Sequence, residues 1–234
     1  MGRKTKAERV TEATLAALRE GAVGAGFSPA PELGPSSFLT SNRVWLGQCG
    51  VDIIGGVGGV VGGGDAFVGS VRPMVYSETI EELRARIAGP QRLPGTVLVE
   101  LAGLEKGNLR VLDQRILNDP TRAGDFAAHT MQRLAGYAES WYRNFDSSAD
   151  TYDYLLNVDN RNWWRDSITG ALIALNEGNV PMAERFARQF AKVWNSEVVP
   201  EFFNNTADIF RQIDAEFGVD LPFPAWEEVS TKRD

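Results

Sequence analysis

The one histidine of this 234-residue chain, His129, limits the acid–base chemistry open to it. A Ser-His-Asp triad or a Cys-His pair would have to be built around it, since the nucleophile needs a base within hydrogen-bond reach. His129 sits beside Ala127, Ala128 and Met131 in a helical pattern, and no glycine-flanked serine elbow occurs elsewhere. The expectation is therefore a helix-surface or half-buried histidine. With one histidine and one cysteine, only all-oxygen coordination is open to a metal. Asp146, Asp150, Asp153 and Asp159 have the composition of a calcium loop but not its spacing. A loop opening at Asp146 would need glycine where Thr151 stands and glutamate where Asn157 stands. Helix caps and solvated loops are the expected uses of these carboxylates, and neither a metal nor another cofactor is expected.

Phosphate binding is the chemistry suggested by the glycine-rich run from Gly55 to Gly69, because backbone amides freed of side chains can cradle an anion. The pattern does not carry it. No G-x-G-x-x-G register occurs there, and no lysine stands between Lys6 and Lys106 to complete a Walker loop. Glycines on a strand instead flatten one face of it, so that a helix or another backbone can come close.

Binding chemistry is richest between residues 141 and 166. Trp141, Tyr142, Phe145, Tyr152, Tyr154, Trp163 and Trp164 fall within 24 residues, with Arg143, Arg161, Arg165 and Asp166 among or beside them. One helix face cannot bury them all. The adjacent Trp163 and Trp164 point about 100° apart on a helix, which sends one of them to a surface or groove. A groove formed by Trp141, Tyr142, Trp163, Trp164, Arg165 and Asp166 would suit a peptide, a sugar or a base, and two carboxylates of the region could serve as acid and base. Ordinary packing at a helix junction is the competing use.

The elements that must position these groups can be read from periodicity. Thr5-Lys6-Ala7-Glu8 fits a capping box, and Val10, Ala13, Thr14, Ala17 and Leu18 continue it as an amphipathic helix ended by Gly21, Gly24 and Gly26. Strands are expected around Phe38, from Val44 through Gly47, from Val51 to Val61, and from Ala66 to Tyr76 after a turn at Gly62-Gly63-Gly64-Asp65. Pro73 implies an edge or a bulge. Ser77 should cap a short helix carrying Ile80, Leu83 and Ile87, followed by a strand from Thr96 to Ala102. Asn108 to Leu117 fits helix better than strand. Beyond Pro120 the spacing is helical: Ala127 to Phe145, Trp164 to Leu175, Met182 to Val193, and Phe203 to Ile213, with Asn176-Glu177-Gly178-Asn179 turning a helical hairpin. The layout is an N-terminal helix, an antiparallel sheet of four to five strands and a C-terminal helical region, which is α+β. One compact domain is expected, with 1–118 and 119–234 as its sub-lobes.

Composition narrows the partners. Hydrophobic residues make up 43% of the chain and charged residues 24%, as in a folded globular protein. The net charge of −7 repels phosphate backbones and anionic membranes, so neither nucleic acid nor a membrane is the expected partner. From Asn195 onward nine acidic residues face three basic ones, a balance suited to a basic protein. The basic start, Arg3, Lys4, Lys6 and Arg9, looks like a signal n-region, but Glu8, Glu12 and Arg19 interrupt any apolar core, so export is not expected. Cys49, the only cysteine, suits a reducing cytoplasm.

Together the amphipathic first helix, the sheet built on Phe38 to Tyr76, and the hairpin around Leu172-Ile173-Ala174-Leu175-Asn176-Glu177-Gly178 resemble small bacterial proteins of unknown function, among them immunity-type proteins of toxin systems. The resemblance implies a cytoplasmic protein that binds and blocks a partner, with no catalytic residues to carry over. The leading expectation is thus a non-enzymatic interaction protein with a basic protein partner, self-association being left open. The alternative is a small-molecule enzyme or ligand-binding module with its site in 141–166.

Overall fold

A computed structural model of the chain describes residues 4–60, 64–89, 95–99, 101, 115–157, 163–193 and 200–223. The protein is α+β. Its contacts divide it into two units that interleave along the sequence: Met1–Tyr76 with Val97–Ser147, and Ser77–Thr96 with Ser148–Asp234.

The first unit holds the sheet. Helix α1 (Lys6–Gly24) starts at the expected capping box, with the Thr5 hydroxyl accepting from the Glu8 amide and the Glu8 carboxylate accepting from the Thr5 amide. Ala7, Val10, Thr14, Leu18 and Ala22, spaced by three or four residues, are its buried stripe. Six antiparallel strands follow: β1 (Ser28–Pro29), β2 (Ser37–Arg43), β3 (Gln48–Val60), β4 (Gly64–Tyr76), β5 (Val97–Leu98) and β6 (Arg115–Leu117). They run in the order β1-β2-β3-β4, and β5 and β6 share the far edge of β4, so the sheet is five strands across.

The β3–β4 hairpin is the long member, paired from Gln48↔Tyr76 to Val60↔Gly64. Val51, Ile53, Phe67 and Val71 on one of its faces join Phe38, residues of α1, and the helix α3 (Ala123–Tyr142) in a core that includes Val10, Leu18, Met131 and Leu134. The glycines do open this face, and the structure shows what uses the space. A Cβ at Gly55 or Gly69 would collide with the Phe67 ring, which packs edge-on against Phe126 with ring centres 6.1 Å apart. Pro73 sits where the outer edge of β4 passes from β5 to β6. There its missing N–H ends the β5 ladder, and only its carbonyl takes part, accepting from the Val99 amide at 3.1 Å.

Several expected elements come out differently: the strand expected from Thr96 to Ala102 is paired only at Val97–Leu98, and Ser77 precedes α2 (Glu78–Ala88) without a side-chain capping bond. Val44–Gly47 is not a strand but the turn that joins β2 to β3, closed by bonds from the Val44 amide to the Gly47 carbonyl at 2.9 Å and from the Gly47 amide to the Val44 carbonyl at 3.2 Å. The alternation of Val44 and Leu46 reflects a turn pinned down by the Leu46 amide on the Phe145 carbonyl. The end of the Asn108–Leu117 segment, Arg115–Leu117, is strand β6 and not helix, since Phe67, Val68 and Gly69 offer it an open edge of β4. The rest of that segment, 108–114, lies outside the described residues, as do residues 62 and 63 of the expected turn, whose other two residues, Gly64 and Asp65, begin strand β4 instead.

The regular elements of the second unit among its described residues are all helices: α2 (Glu78–Ala88), α4 (Ser148–Leu155), α5 (Trp163–Asn176), α6 (Val180–Val193) and α7 (Pro200–Phe217). Pro200 opens α7, where its lack of an N–H costs nothing. Helices α5 and α6 form the expected hairpin, closed by a Schellman pair. Gly178, at φ +73°, donates to the Leu175 carbonyl at 3.0 Å, and Asn179 donates to the Ala174 carbonyl at 2.8 Å. No helix among the described residues is long and apolar enough to cross a membrane.

Candidate functional site

The aromatic and carboxylate residues of 141–166 fall in both units. In the first, Trp141 ends α3 at 3% exposure, with its ring centre 5.0 Å from that of Phe145 and 5.4 Å from that of Tyr142. The Tyr142 hydroxyl donates to the Gly50 carbonyl at 2.6 Å, and burial pushes its pKa far above that of an ordinary phenol. Tyr142 thus ties α3 to the sheet, while Trp141 is buried against the rings of its own chain neighbours. In the second unit, Asp166 lies buried in the first turn of α5, a place where the helix dipole favours a carboxylate. The side chains of Trp163, Trp164 and Arg165, which open the same helix, lie outside the described residues. Tyr152, on α4, gives its hydroxyl to the Glu177 carboxylate at 2.7 Å.

Asp166 belongs with an arginine that sequence reasoning missed. Arg84, on α2, is 3% exposed. It donates to the Glu81 carboxylate at 2.6 Å, to the Thr169 hydroxyl at 2.6 Å and to the Thr96 carbonyl at 3.2 Å. Burial pulls its guanidinium below the usual arginine value, and the charges of Glu81 and Asp166 pull it back. The bond to Thr169 ties α2 to α5 from 85 residues away. The signal in the sequence was position: Arg84 stands four residues after Ile80 and three before Ile87, inside the apolar stripe of its helix.

The other reactive groups are separately placed. His129 is exposed on α3, and Asp146, Asp150 and Asp153 are exposed, while Asp159 lies outside the described residues. Among the described residues no three histidine, cysteine or acidic side chains gather as metal ligands. Cys49 is buried, and desolvation, with Asp146 adding to it, pushes its thiol up to about 11, so little of it is thiolate at neutral pH.

The molecule's charge is distributed unequally. The segments of the second unit carry 18 acidic and 11 basic side chains, which leaves −7; those of the first unit carry 13 of each. All of the net charge therefore resides in the second unit. Within it, α2 exposes Glu78, Glu82 and Arg86 four residues apart along one stripe, and Arg86 reaches Glu216 on α7 at 3.0 Å. Asp208 and Asp220 are exposed on and just after α7, Asp208 in an ion pair with Arg211. A surface with this excess attracts cations and basic proteins over roughly a screening length, about 10 Å at 0.1 M salt. Compared with protein-family models, curated proteins and solved structures, the chain matches none of them.

Proposed function

We propose that this protein acts by binding another protein, its second unit engaging a partner of opposite, basic charge and blocking it as an immunity-type protein does. The observation that supports this reading is the confinement of the whole −7 to the second unit beside a first unit with equal numbers of acidic and basic residues. Charge gathered on one part of a molecule steers association and selects partners, whereas the same charge spread evenly serves only solubility. Glu78 and Glu82 on α2, with Asp208 and Asp220 at α7, provide the acceptors that arginine and lysine side chains would meet.

Capture from the native host on the immobilised full chain tests it. A basic protein is expected to be retained at about 0.1 M salt and released at about 1 M, as the screening length falls from about 10 Å to about 3 Å. Retention of no basic protein at the lower salt, or retention indifferent to salt, would contradict the reading.

A further inference from the structure

Among the described residues, the outer edge of β3 is unpaired over half its length. β2 covers it only as far as Ser37↔Asp52, with the Ile53 amide donating to the Ser36 carbonyl at 2.9 Å. Beyond that point no strand among the described residues pairs this edge, whereas the far edge of β4 is taken by β5 and β6. Because strand residues alternate, the residues whose N–H and C=O point the same way as those of Ile53 are Gly55, Val57 and Gly59, and Ile54, Gly56 and Gly58 turn theirs to β4. Gly55 is exposed, and Ile54 and Val57 are 37% and 48% exposed. Edges of this kind are ordinarily guarded by a charge, a proline or a bulge. Between Ile53 and Val60 there is none of these.

We infer that this edge is a pairing surface for a second copy of the chain, the two β3 strands running antiparallel about a two-fold axis at Val57. The sequence Ile54-Gly55-Gly56-Val57-Gly58-Gly59-Val60 reads the same in both directions by residue class, β-branched, two glycines, β-branched, two glycines, β-branched. Centred on Val57, the pairing sets Val57 opposite Val57, Gly55 opposite Gly59, Gly56 opposite Gly58 and Ile54 opposite Val60. The outward amides and carbonyls of Gly55, Val57 and Gly59 then satisfy one another in both directions. Charge agrees with this occupant. The edge is uncharged and the first unit that holds it carries 13 acidic and 13 basic side chains, so that unit adds no net charge against a second copy, while a basic partner finds no carboxylate on the edge. A two-fold contact uses the same edge of both copies and so closes at two. This inference stands apart from the role proposed for the second unit.

Sedimentation of the full chain from micromolar to millimolar concentration tests the association, and engineered cysteines in a Cys49→Ala background test the register. A dimer is expected. On mild oxidation Val57→Cys should cross-link it, because the paired Cα atoms lie about 5.5 Å apart, inside the disulfide range of about 4.4–6.8 Å. Ile54→Cys should not, since the two copies of position 54 stand about 20 Å apart. Val57→Pro removes an outward N–H without touching a β3–β4 bond and should give a monomer with unchanged circular dichroism. A wild-type monomer at every concentration, open-ended polymers, cross-linking at 54 in place of 57, or a dimer surviving Val57→Pro would each overturn the inference. If Val57→Pro does not fold, the two cysteine variants decide it.

Discussion

Two arginines are buried among the described residues, and each is held by a different device. On the sheet, Arg72 pairs with Asp52 directly across from it on β3, and Ser37, the next residue along the same rung, donates to the Asp52 carboxylate at 3.3 Å. All three side chains are less than a tenth exposed. Burying two charges costs each its hydration, which the pair recovers only while both members are present. Asp52→Ala should therefore destabilise the protein by about 3–5 kcal/mol, whereas joint replacement by apolar residues, Asp52→Val with Arg72→Met, should restore most of that loss. Urea unfolding of the two variants against wild type checks this, and a double variant as weak as the single one would count against it. Of the two, only Arg84 left a sign in the sequence, its place within the apolar stripe of its helix. Whether a charge is buried depends on partners brought from elsewhere, 20 residues away for Arg72 and Asp52 and 85 for Arg84 and Thr169.

What was legible at the scale of elements was local. The capping box at Thr5, the Gly178 turn and the stripes of α1, α3 and α6 are fixed by residues within one or two turns of each other. Strand β6 and the Val44–Gly47 turn were misjudged because pairing across a sheet is set by a remote edge and overrides local spacing. The close approach of α5 and α6 rests on Gly170, where a Cβ would run into the ring of the fully buried Phe186. Gly170→Ala should cost about 1–3 kcal/mol by overpacking. On α3, Gly136 is exposed with nothing near where its Cβ would stand, so Gly136→Ala should instead add about 1 kcal/mol through helix propensity. Opposite shifts in the urea midpoint are the expected result, and equal signs would contradict the packing described for the α5–α6 hairpin.

For the whole molecule, the charge asymmetry was legible in the sequence, since residues 148–234 carry 15 acidic and 8 basic side chains, which is already −7. What was not legible was which segments fold together: Ser77–Thr96 joins the C-terminal helices rather than the sheet beside it in sequence and, with Glu78, Glu81 and Glu82 against Arg84, Arg86 and Arg92, adds no net charge to them. The candidate groove of 141–166 was likewise drawn across residues that belong to different units, Trp141 and Tyr142 to one and Asp166 to the other. The proposal that a partner recognises the negative surface of the second unit belongs at this scale. Its most direct test is a matched pair of charge reversals, each adding four positive charges' worth of change: Glu78→Lys with Glu82→Lys on α2, and Glu20→Lys with Glu32→Lys on the first unit, all four being exposed. Measured by capture of the basic partner at about 0.1 M salt, where the screening length is about 10 Å, the α2 pair should abolish binding and the first-unit pair should leave it near wild type. Equal loss from both pairs, or loss from the first-unit pair alone, would contradict the claim.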